Sequence, residues 1–242
     1  MKADDVVAAL RADGGDSVKA FLKRQRWFAG KARGIGDVQV VDWGVVDDDG
    51  PLLLALLDVD RDRYFLPLAV VDSAPDSRTI TRAGAQSIVD GHEHPALGRT
   101  LARDIARGRE VAAQRGRFVC RPILPWAGPE PSAMSALDER PLSGEQSNTS
   151  VAVGRGLLLK SVRRPRGGVN PEVEITEMLT RRTAFRHIAP LIGWIDYVAE
   201  TGEASAVSLL QGFVTNTGDG WRHVVDALRR SVEALDAPHG QS

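Results

Sequence analysis

Apolar and polar residues are distributed along this chain with two different periods, and the changes of period mark out its elements. Residues 15–28 have a helical period: Val18, Phe21, Leu22 and Gln25 share one side, and Lys19, Lys23 and Arg24 the other. Four strand-like segments follow at 37–43, 52–59, 63–71 and 77–82. The acidic turn Asp47–Gly50 and the turn at 60–63 separate them, which predicts an antiparallel meander. One helix beside such a sheet makes a small α+β unit ending near residue 88.

The second half opens on a helix predicted over 94–114, where Leu97, Leu101 and Ile105 recur every four residues and Pro95 fits the first turn. A strand at 116–124 leads into a proline-rich linker. Strands at 139–143, 149–154 and 157–163 come next. The segment "VNPEVEITEMLTRRTAF" is a well-signalled helix, with Asn170 as N-cap, Pro171 at its first position and Glu172 and Glu174 in its first turn. Strands near 193–198 and 205–213 flank the turn "ETGEA". A final amphipathic helix covers about 221–235, with Asp219 as its N-cap and Trp221 in its first turn. From 139 onward the order is β-turn-β, helix, β-hairpin, polar exit. That is the order of a kinase-like N-terminal lobe, shared with many other α+β domains.

Composition narrows the classes of function. At 242 residues the chain is long enough for one large domain or two smaller ones. A net charge of −1 gives no general attraction to nucleic acid or an anionic membrane. The arginines at 107, 109, 115, 117 and 121, and again Arg163, Arg164 and Arg166, read as solvated faces. No aromatic stripe accompanies the arginine-rich stretch 99–121, which argues against a nucleic-acid interface. Cys120 is the single cysteine, so an intramolecular disulfide is impossible; in the short apolar run "RFVCRP" it reads as a packed thiol. The N-terminus has acidic residues where a signal peptide has basic ones, and Leu52–Leu57 and Phe65–Val71 are too short to span a bilayer. These features predict a cytoplasmic protein.

The chemistry-bearing stretch is "PLSGEQSNTSVAVGRGLLLK", residues 141–160. Phosphate binding needs backbone N–H groups or short hydroxyl side chains at a tight turn, plus a cation fixed by packing. Ser147, Asn148, Thr149 and Ser150 are such donors, and Lys160 ends the strand. Alternation gives one face to Leu157 and Leu159 and the other to Leu158 and Lys160. A kinase-type site also needs a carboxylate on the following helix to orient the lysine. Glu174 is the candidate, with Glu172 and Glu177 as rivals. The plain alternative is a polar β-turn with a surface ion pair. The His92-Glu93-His94 cluster reads as an exposed turn rather than a metal site. In "RWFAGKARG" Trp27 and Phe28 read as packing residues, while Lys31 and Arg33 are in reach of an anion.

Six stretches occur in order that together resemble the N-terminal half of bacterial maltokinases: "RWFAGKAR", "DRYFLPLAV", "ALGRTLARDIARGR", "PLSGEQSNTSVAVGRGLLLKSVRRPRGGVNPEVEI", "HIAPLIGWIDY" and "LLQGFVTNTGDGW". The group includes the kinase part of trehalose synthase–maltokinase fusions and the related glucosamine kinases. The resemblance runs from about residue 20 to 225. It implies an α+β fold: an N-terminal cap of helix plus antiparallel sheet at 1–88, a eukaryotic-like, aminoglycoside-phosphotransferase-like kinase N-lobe at 89–213, and an exit at 214–242 toward a C-lobe that this sequence lacks. By the same resemblance Ser147, Asn148 and Thr149 lie at the phosphate loop. Lys160 contacts the α- and β-phosphates of ATP with Glu174 as its partner, and Gln211, Phe213 and Val214 belong to the hinge that holds adenine. The implied activity is ATP-dependent phosphorylation of maltose, or of a related sugar such as glucosamine, in trehalose and α-glucan metabolism. The base and the Mg²⁺ ligands of that reaction would come from the C-lobe, so the chain alone is expected to be inactive. The expected partners are a separately encoded C-lobe or trehalose synthase. A non-catalytic, nucleotide-binding docking module is the alternative.

Overall fold

A computed structural model of the protein describes residues 1–47, 51–142, 147–218 and 220–236. Two antiparallel sheets form its frame. The first contains β1 (Val38–Asp47), β2 (Leu52–Val59), β3 (Asp62–Val71), β4 (Thr79–Ala83) and β5 (Gln86–Asp90), in the order β1-β2-β3-β5-β4. The expected meander therefore fails at its end. The pattern predicts no strand at 86–90, yet β5 pairs with β3 and pushes β4 to the edge.

Two helices cover one face of this sheet, α1 (Ala3–Arg11) and α2 (Asp16–Arg24). The first was not predicted. The second begins at Gly15, whose φ of 83° is the left-handed turn that separates the helices, and it ends at Arg24, short of the predicted 28. Val6, Val7, Leu10, Val18, Phe21 and Leu22 pack on Leu53, Ala55 and Leu57 of β2. The alternate residues Leu52, Leu54 and Leu56 point the other way, into a second core shared with the rest of the chain. This explains why "LLLALLDV" is a continuous apolar run: both of its faces are covered.

The second sheet has seven strands, in the order β6-β7-β11-β12-β10-β9-β8. These are β6 (Glu110–Ala112), β7 (Arg117–Pro122), β8 (Glu139–Leu142), β9 (Asn148–Val153), β10 (Leu157–Val162), β11 (Leu191–Val198) and β12 (Ala204–Gly212). On its cap-facing side lies α3 (Leu97–Ala106); on the other lies α4 (Pro171–Arg182). The predicted 94–114 helix stops eight residues early, because Gly108 turns left-handed at φ 60° and the chain re-enters as β6. No side chain at position 96 caps α3. Instead Glu139, from β8, receives the N–H groups of Gly98 and Arg99 at 3.1 and 2.8 Å. The last helix, α5 (Gly220–Asp236), follows β12; its predicted cap Asp219, like the 48–50 part of the acidic turn and the 143–146 part of the candidate loop, lies outside the described residues.

The cap and the second sheet share more than a core. Gly44 of β1 bridges to Ala113, and a Cβ at Gly44 would come within 2.7 Å of the Ala112 carbonyl oxygen, so only glycine allows the approach. Asp42, buried on β1, accepts from the amides of Arg115 and Gly116 and from the Tyr197 hydroxyl at 2.7 Å. The Phe65 N–H of β3 donates to the Arg163 carbonyl just beyond β10. Cys120 is buried as expected, and burial pushes its thiol up to about 12, which leaves it unreactive. Among the described residues no helix is long and apolar enough to cross a membrane.

Candidate functional site

The site is built on the α4 side of the second sheet. β10 alternates as the sequence predicted: Leu157 and Leu159 enter the shared core, while Leu158, Lys160 and Val162 face α4. Across the ladder Lys160 stands opposite Ser150 on β9 and Leu209 on β12. Asn148, two residues before Ser150, shares that face, and so does Gln211, opposite Leu158. Helix α4 starts where the sequence placed it, with the Asn170 side chain accepting the N–H groups of Glu172 and Val173 at 2.9 and 3.2 Å.

The carboxylate that holds Lys160 is Glu172, not Glu174. Lys160 Nζ donates to both Glu172 oxygens, at 2.9 and 3.1 Å. The reason is helical phase. Val173 is the buried residue of this turn, packed on Leu191, Ala206 and Leu209. Its neighbours at one residue on either side are rotated by about 100° in opposite senses, so they fall on opposite flanks. Glu172 falls on the β10 flank. Glu174 falls on the other, along a groove of about 350 Å³ with Asn170, Glu177, Trp194 and Asp196. Lys160 is 17% exposed and its partner 38%, so the pair is positioned by packing but open to a ligand.

Thr149 also departs from expectation. Strand alternation puts it opposite Ser161, on the cap-facing side, where its hydroxyl accepts from Arg163 Nε at 2.8 Å. Ser147 is exposed at the end of the candidate loop, and Asn148 and Ser150 are the short polar residues on the Lys160 face. Of the predicted hinge, the Gly212 N–H donates to Pro190 and the Phe213 N–H to Gly156, which leaves the Val214 amide without a backbone partner among the described residues. The cleft of about 890 Å³ beside Gly212 runs from Gly156 and Leu157 past Leu191 to Thr180, at the end of the sheet where the chain exits. Lys31 is exposed on the cap turn and does not join this face; Trp27 and Phe28 are buried against Tyr64, as the packing reading expected.

Behind the Lys160 strand lies a buried polar cluster, whose Arg163 and His92 the sequence pattern alone places in solvent. Arg163, 1% exposed, donates to Asp90 Oδ2 at 2.5 Å and stacks 4.5 Å from the Trp27 ring. His92 is buried too, not on an exposed turn: Nδ1 lies 2.8 Å from Asp90 Oδ1 and Nε2 lies 2.9 Å from Ser161 Oγ. Nδ1 has two neighbours of opposite kind, the Asp90 carboxylate, which only accepts, and Arg163 Nη2 at 3.0 Å, which only donates; Ser161 Oγ is the partner of Nε2 in either tautomer. Ser161, His92 and Asp90 thus have the connectivity of a hydrolase charge relay, but Ser161 is fully buried and no substrate reaches it. The cluster joins cap to lobe: Asp90 and His92 follow from β5, and Arg163 extends β10. Among the described residues no group of three His, Cys, Asp or Glu could hold a metal ion.

Burial raises the Asp90 carboxyl, but Arg163 and His92 outweigh it and hold it well below the usual carboxylate range. Burial first, then the Arg163 charge, hold the His92 imidazole below its ordinary 6.5, against the pull of Asp90. A histidine with a depressed folded pKa takes up a proton on unfolding. Its contribution to stability is complete above about pH 6.5 and lost as the pH falls below that, by at most about 1.4 kcal/mol per pH unit. Asp90 acts only further down: its contribution is complete above the unfolded value near 3.8 and lost as the pH falls toward its lower folded value. The expected result is a melting temperature that is level above about pH 7 and falls between about pH 6.5 and 5. In His92→Gln the midpoint is lower throughout but that fall is shallower. Equal slopes in the two proteins would show that His92 is not the titrating group.

A seven-stranded antiparallel sheet with α4 packed on a Lys-bearing strand, entered through a cap of two helices on a second sheet, is the fold of a kinase N-terminal lobe with a domain fused in front. Solved structures share it. A glucosamine kinase in complex with glucosamine, ADP and inorganic phosphate matches with a TM-score of 0.50 at 16% identity, over 82% of this chain and 41% of that one. A second crystal form of glucosamine kinase matches with a TM-score of 0.52 at 17% identity, over 90% of this chain and 44% of that one. The chain therefore spans about two fifths of the length of the kinases it matches. The fused domain has a family of its own: residues 21–104 match the maltokinase N-terminal cap domain. Residues 21–104 thus resemble a maltokinase cap, and the chain shares its fold with the corresponding part of glucosamine kinases.

Proposed function

We propose that this chain is the nucleotide-holding part of an ATP-dependent sugar kinase acting on maltose or a related sugar such as glucosamine. The observation that carries the reading is Lys160, held within the apolar strand β10 by Glu172, with Asn148, Ser150 and Gln211 on the same face. The donor set fits a nucleotide: an ammonium held but not enclosed, a short amide side chain one strand away, and a Val214 N–H with no backbone partner among the described residues. ATP would supply the phosphoryl group. Lys160 would neutralise phosphate oxygens, Glu172 would keep its ammonium aimed, and the 212–214 segment would meet the base. That the solved relative was crystallised with ADP and glucosamine supports the same assignment. The described residues offer no carboxylate cluster for Mg²⁺, so the metal and the base acting on the sugar would come from a second lobe.

The surface supports a role for such a partner. Trp221, Val224, Leu228 and Val232 form an exposed stripe along α5, and Leu124 and Val214 are exposed beside the exit. A second lobe, or a docking protein such as trehalose synthase, would cover them. The direct test is equilibrium binding of a fluorescent ADP analogue to the 242-residue chain, displaced by ATP. Saturable, ATP-competitive binding is expected, with no phosphorylation of maltose or glucosamine by the chain alone. Failure to bind would refute the nucleotide assignment, and turnover by the chain alone would refute the need for a second lobe.

A further inference from the structure

A hollow of about 640 Å³ lies between the Gly-rich turn of the cap at 28–36 and the β2–β3 hairpin, with Arg33 on the first and Arg61 on the second. None of its lining residues is on the Lys160 face, and nothing in the nucleotide reading uses it. Its two carboxylates, Asp60 and Asp62, are each hydrogen-bonded through one oxygen. Asp60 Oδ1 receives the N–H groups of Gly36 and Asp37 at 3.1 and 3.2 Å. Asp62 is bonded by Arg164, with Arg33 at 3.7 Å on its other oxygen. Its donors are not engaged. Arg33 is 74% exposed with only that long contact, and Arg61 has no hydrogen bond or ion pair to any described residue.

Tyr64 supplies the buried element. It lines the hollow while only 1% exposed, and burial first of all raises its pKa, so the hydroxyl stays protonated. The Ala29 backbone N–H beside the hydroxyl acts in the other direction, more weakly than burial. Three glycines shape the turn. A Cβ at Gly30 would strike the Phe28 ring and one at Gly36 would strike Asp60, both at 2.5 Å, and Gly34 has φ 76°. The result is a concavity whose unengaged donors are two guanidinium groups and a hydroxyl, while the Asp60 and Asp62 carboxylates in its wall are each tied through one oxygen, to the turn amides and to Arg164. Guanidinium forks match the paired oxygens of a phosphate. The volume exceeds that of a bare phosphate and is in the range of small-molecule sites.

We infer that this hollow binds a small phosphomonoester dianion through Arg33 and Arg61, with the Tyr64 hydroxyl as a third donor. The sequence motif "RWFAGKARG" then has two parts: Trp27 and Phe28 pack, and Arg33 binds. The shared chemistry of inorganic phosphate and a sugar phosphate is the dianion, and two probes separate them.

The experiment titrates the 242-residue chain with inorganic phosphate and with glucose 1-phosphate by calorimetry, using glucose as the uncharged control. Saturable binding of at least one phosphate probe and none of glucose is expected. Arg33→Gln/Arg61→Gln should weaken it by about tenfold or more, and Tyr64→Phe, which keeps the ring, by about threefold. Lys160→Met should leave it unchanged. Tighter binding of glucose 1-phosphate than of inorganic phosphate identifies a sugar-phosphate site, and equal binding identifies a site for the free ion. Both arginines are exposed, so the double variant should melt with the wild type. The inference is overturned by absence of saturable binding of either probe. It is also overturned if binding is lost in Lys160→Met and retained in the double variant. Failure of ADP to bind the chain would leave this result untouched.

Discussion

Arg163→Met is expected to destabilise the protein by about 3–5 kcal/mol, because it leaves the Asp90 carboxylate buried beside no cation. Asp90 is 5% exposed and its remaining neighbours, His92 and its own turn amide, do not neutralise it. The variant also loses the stack on Trp27, which in a desolvated setting contributes about 2 kcal/mol. A domain of this size loses roughly 2–4 °C of melting temperature per kcal/mol, so a drop on the order of 10 °C or more is expected. Adding Asp90→Asn should recover part of it, since the second change removes the unpaired charge. Because the cluster joins β5 of the cap to β10 of the lobe, the loss should appear as one cooperative transition shifted down. A drop below about 1 kcal/mol would show that the pair is not worth its desolvation.

Lys160→Met is expected to weaken ADP binding by about 10- to 100-fold, the worth of a charge-assisted contact to phosphate. The informative comparison lies in the two glutamates. Glu172→Gln removes the charge that aims Lys160 and should weaken binding by several-fold, about 1 kcal/mol for a pair that is partly exposed. Glu174→Gln should have no effect, because that side chain lies on the other flank of α4. Both positions are on the solvent side of one helical turn, so neither change should unfold the protein. Equal losses in the two variants would sink the helical-phase argument. A loss in Glu174→Gln alone would restore the assignment made from sequence. If Lys160→Met binds ADP as well as wild type does, the lysine is not in the nucleotide site.

Much of this arrangement was legible in the residues. The alternation of "LLLK" gave Lys160 its face, because side-chain direction in a strand is fixed by period alone. Asn170, Pro171 and the acidic first turn located the start of α4 to the residue, because capping is a contact between near neighbours in sequence. The exit helix and the hairpin before it were legible from their helical and strand periods. Where the reading failed, the deciding contact was distant. Helix α1 was passed over because its apolar residues, Val6, Val7 and Leu10, are few and gain meaning only against β2. Thr149 was grouped with its neighbours by composition, although one residue of alternation sends it to the opposite face.

The sequence by itself determined the lysine strand, the helix that follows it, the lone inert thiol and the kinase-lobe order of elements. These rest on local periods and caps that any window of a few residues contains. Only the tertiary structure decided that Glu172 rather than Glu174 holds Lys160, since that depends on which residue of α4 turns toward the sheet. It alone decided that β5 enters between β3 and β4. And it alone turned Arg163 and His92 from surface residues into the buried joint between cap and lobe. A charge is solvated or buried according to what packs over it, and here the covering groups, Trp27 and Asp90, lie 136 and 73 residues away in the chain.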